Sequence, residues 1–368
     1  MQPPAWWGVV SSVDHNVYHT IIIGAGQAGL AAAYYLQRAG HRAVLLEQHD
    51  RVGDQWRQRW AGLRLFSPQR YNGLPGWPPA GDAWYTPSRL EVADYLEGYA
   101  ARFAFEVRTR CTCVRARKDG AVWTVETSCG TLTARHLVVA SGAYRTPWVP
   151  RAIADSFPED IAQYHSSDIR DVADVAGPDT DALVVGAGAS GQQLSRLLLQ
   201  AGSNVTLAGP AVGNLPRRLL GRDIYWWLYA SGMMTVRTDR WPGKLLAGAG
   251  GGDVTVAEPP LPAAVQRVPT EIARYADGHL RCKCERTAPR PIPFPGPSKR
   301  GVVVWCTGYR NAYPFLPAAL LDAGGQPRRA GVRSSVDPTV SYLGLPNLRR
   351  PNSSLLGGVG RDAAELVV

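Results

Sequence analysis

Residues 20–47 read TIIIGAGQAGLAAAYYLQRAGHRAVLLE, and residues 182–209 read ALVVGAGASGQQLSRLLLQAGSNVTLAG. The two stretches align without a gap at an offset of 162, which puts Gly24, Gly26 and Gly29 onto Gly186, Gly188 and Gly191, and Gly40 onto Gly202. Each opens on a short apolar run, the signature of a strand buried on both faces. A Gly-x-Gly-x-x-Gly follows at once. Then comes a helical pattern, with Leu30, Ala33 and Tyr34 in one copy and Leu194, Leu197 and Leu198 in the other. Gly40 and Gly202 stand where a helix C-terminus wants glycine. A second apolar run closes each copy.

This is the βαβ unit that binds dinucleotides. Its first glycine makes the tight turn, its second lets a pyrophosphate reach the backbone, and its third lets helix and strand pack closely. The pyrophosphate then meets the free N–H groups of the helix start. One such motif is weak evidence, but two in full strand–turn–helix–strand context define a chain with two dinucleotide sites. The expected contacts are Gly24, Gly26, Gln27 and Gly29 in the first site, and Gly186, Gly188, Ala189, Ser190 and Gly191 in the second.

The end of the second strand separates the two sites. In the first copy it is Glu47, followed by Gln48, and a carboxylate there accepts hydrogen bonds from a ribose diol. In the second copy the matching residue is Gly209, so nothing repels a 2′-phosphate, and Arg217 and Arg218 follow as candidates to bind one. The first site is therefore expected to hold FAD and the second NADPH.

The remaining composition excludes several classes. The chain has 368 residues, 45% of them hydrophobic, which is enough to build packed cores and excludes a disordered chain. No apolar run reaches transmembrane length, and the N-terminus lacks a basic segment before an apolar one, so the expected compartment is the cytoplasm with no membrane partner. The net charge of +10 is scattered and comes with no nucleic-acid module, so no nucleic-acid partner is expected. The 6 cysteines form no C-x-x-C or C-x4-C pair; Cys111/Cys113 and Cys282/Cys284 are C-x-C, a poor spacing for zinc. The reading is ordinary reduced thiols and no metal.

The fold class expected is α/β, with two Rossmann-like dinucleotide-binding domains and the NADPH domain inserted into the FAD domain. The division expected is 1–150 for the first part of the FAD domain, 151–300 for the NADPH domain and 301–368 for the FAD return. Around the motifs, 50–90 is Gly-, Pro- and Trp-rich with loop character. Residues 88–103 read as an amphipathic helix opened by a Ser88/Glu91 capping box. Residues 105–140 and 302–310 read as strands, 240–300 is Gly/Pro-rich and includes GAGGGD at 248–253, and 355–368 reads as a turn feeding a short helix.

With GDQW (53–56), LRLFSPQRYNGLPGWP (63–78), YTPSRLEVADYLEGYA (85–100), CTGY (306–309) and LLGGVGRDAA (355–364) added to the two glycine motifs, the chain resembles the flavin-containing monooxygenase-like (class B) flavoproteins, in particular their small bacterial, arsenical-resistance-type branch. The resemblance implies that NADPH reduces FAD, that reduced flavin forms a C4a-(hydro)peroxide with dioxygen, and that one oxygen atom passes to a small-molecule substrate at N, S or C. Natural-product biosynthesis is one setting for such a reaction. The resemblance also implies cofactor contacts at Gln48, Gln55, Trp56, Val114, Ser141, Gly142, Thr307, Gly308 and Gly344. Animal-type relatives carry an Asn before the loop proline, near the reacting flavin carbon. Here Phe66 and Ser67 precede Pro68, which leaves Ser67, Gln69 and Asn72 as candidates to supply the polar group. The aromatic segment 223–234 offers Trp226, Trp227 and Tyr229 as a substrate wall. His165 sits near the place of a family histidine, but without the surrounding motif. Two other readings fit the paired motifs: an NAD(P)H-dependent flavoprotein reductase, and a non-enzymatic flavin-binding regulator.

Overall fold

The computed structural model describes residues 17–241, 254–257, 260–283, 291–296 and 299–367; GAGGGD at 248–253, the sequence before residue 17 and Cys284 lie outside them. The first βαβ unit consists of β1 (Val17–Ile23), α1 (Gln27–Arg38) and β2 (Ala43–Leu46). α2 (Arg89–Arg102) follows, and its capping box forms as expected: Glu91 N donates to Ser88 Oγ (3.3 Å) and Ser88 N to Glu91 Oε2 (2.8 Å). Then come β3 (Glu106–Arg108) and an antiparallel meander of β4 (Cys113–Asp119), β5 (Val122–Thr127) and β6 (Gly130–Val139). β6 returns beside β1 in parallel, Ile23 against Val139.

The second unit repeats the plan. It contains β7 (Ala162–His165), β8 (Thr180–Val185), α3 (Ala189–Gln200), β9 (Asn204–Ala208), α4 (Ile224–Ala230), β10 (Gln266–Val268) and β11 (Arg300–Trp305). Its five-stranded sheet runs β10–β9–β8–β11–β7, all parallel. Alternate residues of β8 and β11 enter two different cores. Ala182, Val184, Val302 and Val304 pack on one face, and Leu183, Val185, Val303 and Trp305 on the other. This is why these strands are continuously apolar.

The chain then returns to the first sheet through β12 (Arg329–Ala330), β13 (Arg333–Ser334) and β14 (Val340–Tyr342), and β14 lies parallel to β6. The first sheet runs β12–β13–β14–β6–β1–β2–β3. α5 (Leu356–Ala363) ends the return and packs on α1.

Two expectations are corrected here. Residues 301–305, expected in the FAD return, belong through β11 to the second sheet, between β8 and β7. An apolar run fits the middle of either sheet, so only the pairing assigns it. The cysteines are not all free thiols: Cys111 and Cys129 form a disulfide. The β4–β5 meander folds back and brings Cys129, in the turn before β6, next to Cys111, two residues before β4. A separation of 18 residues does not announce this pairing.

Candidate active site

The two cradles have the same geometry. Gly24 and Gly186 hold φ of +104° and +110°, and a Cβ on them would lie 2.5 Å from Ala140 O and 2.3 Å from Cys306 O. A Cβ on Gly29 or Gly191 would lie 1.9 Å from the carbonyl oxygen of Gly24 or Gly186. These four glycines are required by the chain's own packing. The middle pair is different: a Cβ on Gly26 or Gly188 would meet nothing within 4 Å. Nothing in the chain's own packing requires glycine at those two positions, whereas a pyrophosphate lying against the backbone there would. Both residues cap helices that have no side-chain cap, so the first N–H groups of α1 and α3 are open to a pyrophosphate.

A cavity of about 320 Å³ runs from the end of β2 to the start of α5. Glu47, directly after β2, lines it. Its carboxylate is buried and accepts from Ala25 N (Oε2, 3.2 Å) and His49 N (Oε1, 3.0 Å). The opposite end is made by Gly344, Ser354 and the start of α5. There the glycines of LLGGVG bring backbone against backbone: a Cβ on Gly357 would lie 2.0 Å from Tyr71 O, and one on Gly358 1.7 Å from Asn352 O. Gln27 lines the same end, tied to Ser354 O at 3.1 Å. A short helix, Asp54–Arg57, lays Gln55 and Trp56 along the cavity. It is held by Arg57, which is ion-paired to Asp54 (3.1 Å), Asp94 (2.8 Å) and Glu97 (2.8 Å). This mostly apolar slot, with a buried carboxylate and a glycine cradle on its lining, fits FAD.

Of the expected contacts, Gly24, Gly26, Gln27, Glu47, Gln48, Gln55, Trp56, Ser67, Asn72, Ser141, Gly142, Ser190 and Gly344 line this one cavity. Val114 does not: its side chain faces solvent, and Cys111, Thr112 and Cys113 line the wall instead. Thr307 and Gly308 stand behind the wall, with the Thr307 hydroxyl donating to Trp148 O and Gly308 O receiving His165 Nε2 at 3.0 Å. Tyr309 takes their place on the lining. Burial lowers the basicity of the His165 ring, and Ser167 Oγ holds its other nitrogen at 2.8 Å, so this histidine locks a turn. Gln69 turns away to Ala80 O.

The aromatic wall is also redrawn. Trp226, Trp227 and Tyr229 do not line the cavity. Trp226 stacks under Arg222, Trp227 Nε1 donates to Leu219 O at 2.9 Å, and Tyr229 stacks on Tyr71 at 4.2 Å. The apolar lining comes instead from Trp60, Leu63, Leu65 and Phe66. Arg217 is committed elsewhere: its Nε pairs with Asp223 at 2.6 Å and its Nη1 donates to Phe66 O at 2.8 Å. Arg218 is exposed on a short strand paired antiparallel to Arg222–Asp223. Sequence reading also missed Arg59, which lines the cavity and donates to the Tyr309 hydroxyl. No local motif flags it, because Tyr309 lies 250 residues away.

A protein with two such cradles, one of them serving a flavin-shaped slot, is a flavin- and pyridine-nucleotide-dependent oxidoreductase. Residues 21–214 match the family described as pyridine nucleotide-disulphide oxidoreductase. An uncharacterized oxidoreductase CzcO-like from Geobacillus kaustophilus is 30% identical over 358 residues, covering 96% of this chain and 98% of that protein. The indole-3-pyruvate monooxygenase YUCCA1 of Oryza sativa is 35% identical over 214 residues, covering 56% of this chain and 51% of its own. Among solved structures, the flavin-containing monooxygenase from Stenotrophomonas maltophilia superposes with a TM-score of 0.74 at 27% identity, over 96% of this chain and 97% of that one. The chain belongs to the pyridine nucleotide-disulphide oxidoreductase family, and within it to the flavin-containing monooxygenase-like flavoproteins, whose cofactors are FAD and NADPH. Among the described residues, no helix is long and apolar enough to cross a membrane.

Glu47 gives the first testable consequence. Glu47→Ala removes the expected ribose acceptor and strands the Ala25 N–H in a buried place. The FAD dissociation constant is expected to rise about 30-fold, a loss of about 2 kcal/mol. Glu47→Gln, which keeps one acceptor oxygen, should fall between the two. Flavin fluorescence titration of the apoprotein checks both.

Proposed function

We propose that the protein uses NADPH and dioxygen to place one oxygen atom on a small organic substrate, at nitrogen, sulfur or carbon. The observation that supports this most directly is that both cradles open on one cavity: Gly26 and Gln27 reach it from the start of α1, and Ser190 from the start of α3. A hydride donor and its acceptor held this way need no carrier between them. Bound FAD supplies the dioxygen chemistry once it has been reduced by the nicotinamide.

The chain's own residues supply the surroundings. Trp56, Trp60, Leu63, Leu65 and Phe66 keep the slot apolar and exclude water. Ser67 and Asn72 form a buried pair on its wall. The Ser67 hydroxyl donates to Asn72 Oδ1 at 2.6 Å, and the Asn72 amide donates to Ser67 O (2.9 Å) and Pro68 O (3.1 Å). With its proton committed, Ser67 Oγ faces the cavity as an acceptor, suited to a proton-bearing group of the bound flavin or substrate. Arg59 and Tyr309 suit the nicotinamide side.

A disulfide-reductase reading has less support. The disulfide of Cys111 lies at the ribose end, where Cys111 N donates to Glu47 O at 2.8 Å. The adjacent Cys113 thiol is pushed up to about 12 by burial, so it stays protonated and is a poor nucleophile.

Stopped-flow spectroscopy tests the proposal. FAD-loaded protein should be reduced by NADPH without oxygen. Mixing with aerated buffer should then give an absorbance transient distinct from both reduced and oxidised flavin, longer-lived with NADP+ present. Reduction followed by direct reoxidation would favour the reductase. No reduction by NADPH or NADH would leave only a flavin-binding protein.

A further inference from the structure

Arg267 lies on β10, the edge strand beside β9, with Leu207 as its register partner. Its guanidinium reaches over the end of β9: Nη1 donates to Leu207 O at 2.6 Å and Nη2 to Gly209 O at 3.2 Å. Gly209 is itself against the second cradle, since a Cβ built on it would lie 3.1 Å from Ala187 N and 3.4 Å from Gly186 Cα. Two backbone carbonyls therefore hold a guanidinium at the mouth of the NADPH cradle.

The internal repeat shows what this position is for. Gly209 corresponds to Glu47 and Ala187 to Ala25. In the first unit the Glu47 carboxylate spans that gap to Ala25 N and waits for a ribose diol. In the second unit the carboxylate is gone and a cation from the next strand occupies the place. The charge at the ribose end is reversed, as a phosphorylated ribose requires.

Arg267 has no ion pair among the described residues, and burial works against its charge. Two of its five N–H groups are used by carbonyls, which leaves a fixed set of donors for a planar bidentate contact. Arg217 cannot take this role while it is bound to Asp223 and Phe66 O.

We propose that Arg267 binds the 2′-phosphate of NADPH and sets the preference for NADPH over NADH. This rests on the NADPH-dependent reading above, but not on the oxygen chemistry.

The test is calorimetric titration of the FAD-loaded protein with 2′,5′-ADP and with 5′-AMP, without substrate or turnover. Wild type should bind 2′,5′-ADP the more tightly. Arg267→Gln should weaken 2′,5′-ADP about 30-fold, the scale of a lost charge-assisted pair, and leave 5′-AMP within about twofold. Arg267→Lys should keep the charge, lose the fork and fall between. An unchanged ratio in Arg267→Gln, or equal loss of both ligands, overturns the assignment. If Arg267→Gln fails to retain flavin, the lysine variant decides, and a wild-type ratio there overturns it. A wild type with no preference for the 2′-phosphate overturns both the assignment and NADPH dependence. Discrimination lost in Arg267→Gln by a protein that oxygenates nothing upholds Arg267 and removes only the monooxygenase reading.

Discussion

A Gly29→Val protein is expected to come through purification without flavin, and largely insoluble. The added Cβ alone would stand 1.9 Å from Gly24 O and 3.3 Å from the side chain of Ile22. Neither neighbour can move: Gly24 holds the turn at φ +104°, and Ile22 is fully buried between the strands of the first sheet. α1 would have to lift off β1. It buries Leu30, Ala31 and Ala32 completely, so the displacement opens the first core as well as the cradle. Overpacking commonly costs about 1–3 kcal/mol where side chains can yield; against backbone the cost is larger.

The control is Gly26→Ala. Its methyl meets no protein atom within 4 Å, so the apoprotein should melt as wild type does. The methyl nevertheless enters the space left for the pyrophosphate, and FAD affinity should drop at least tenfold. The ratio of flavin to protein absorbance, read beside a melting curve, separates the two variants. A Gly26→Ala protein with native affinity would mean that the cradle holds no pyrophosphate.

This contrast shows why the fold was legible in the sequence and parts of the site were not. Each cradle is local: strand, three glycines, helix and second strand fall within one continuous stretch, and the third glycine of each answers to the carbonyl of the first, five residues before it. The capping box at Ser88 is legible for the same reason. The NADPH end is assembled at long range. Arg217 follows β9 closely in sequence but folds back onto Asp223, whereas Arg267, roughly fifty residues later, is carried to the end of β9 by strand pairing alone. Phe66, Arg59 and Tyr309 meet at the cavity only after the two units close on each other. The aromatic residues of α4 illustrate the limit of composition. Trp226 and Trp227 suggest a wall, but helix phase turns them to Arg222 and Leu219 O, away from the slot.

The flavin end also depends on a buried ion pair behind α5. Asp362 has no solvent exposure, and Arg350 donates to its carboxylate from the loop before the helix. Burial raises the carboxyl above its ordinary value, opposed by the Ser353 hydroxyl and by Arg350. Arg350→Met removes the opposing charge and leaves the carboxylate in place, so the folded-state value rises further. A group raised on folding favours the folded state at low pH, and that contribution is lost as pH climbs through the raised value. The variant should therefore lie closer to wild type in stability at pH 5 than at pH 8, because protonation of Asp362 at the acid end relieves the buried charge. At pH 8, where the unpaired charge must stay buried, it should be destabilised by about 3 kcal/mol. Thermal unfolding of the FAD-loaded proteins at the two pH values measures the gap. The double variant Arg350→Met, Asp362→Leu should close it, since neither charge is then left alone. Flavin release should follow the same pH dependence, because α5 begins at the cavity wall with Gly357 pressed on Tyr71 O. A gap of equal size at pH 5 and pH 8 would mean that Arg350 acts through packing of its stem and not through the charge of Asp362.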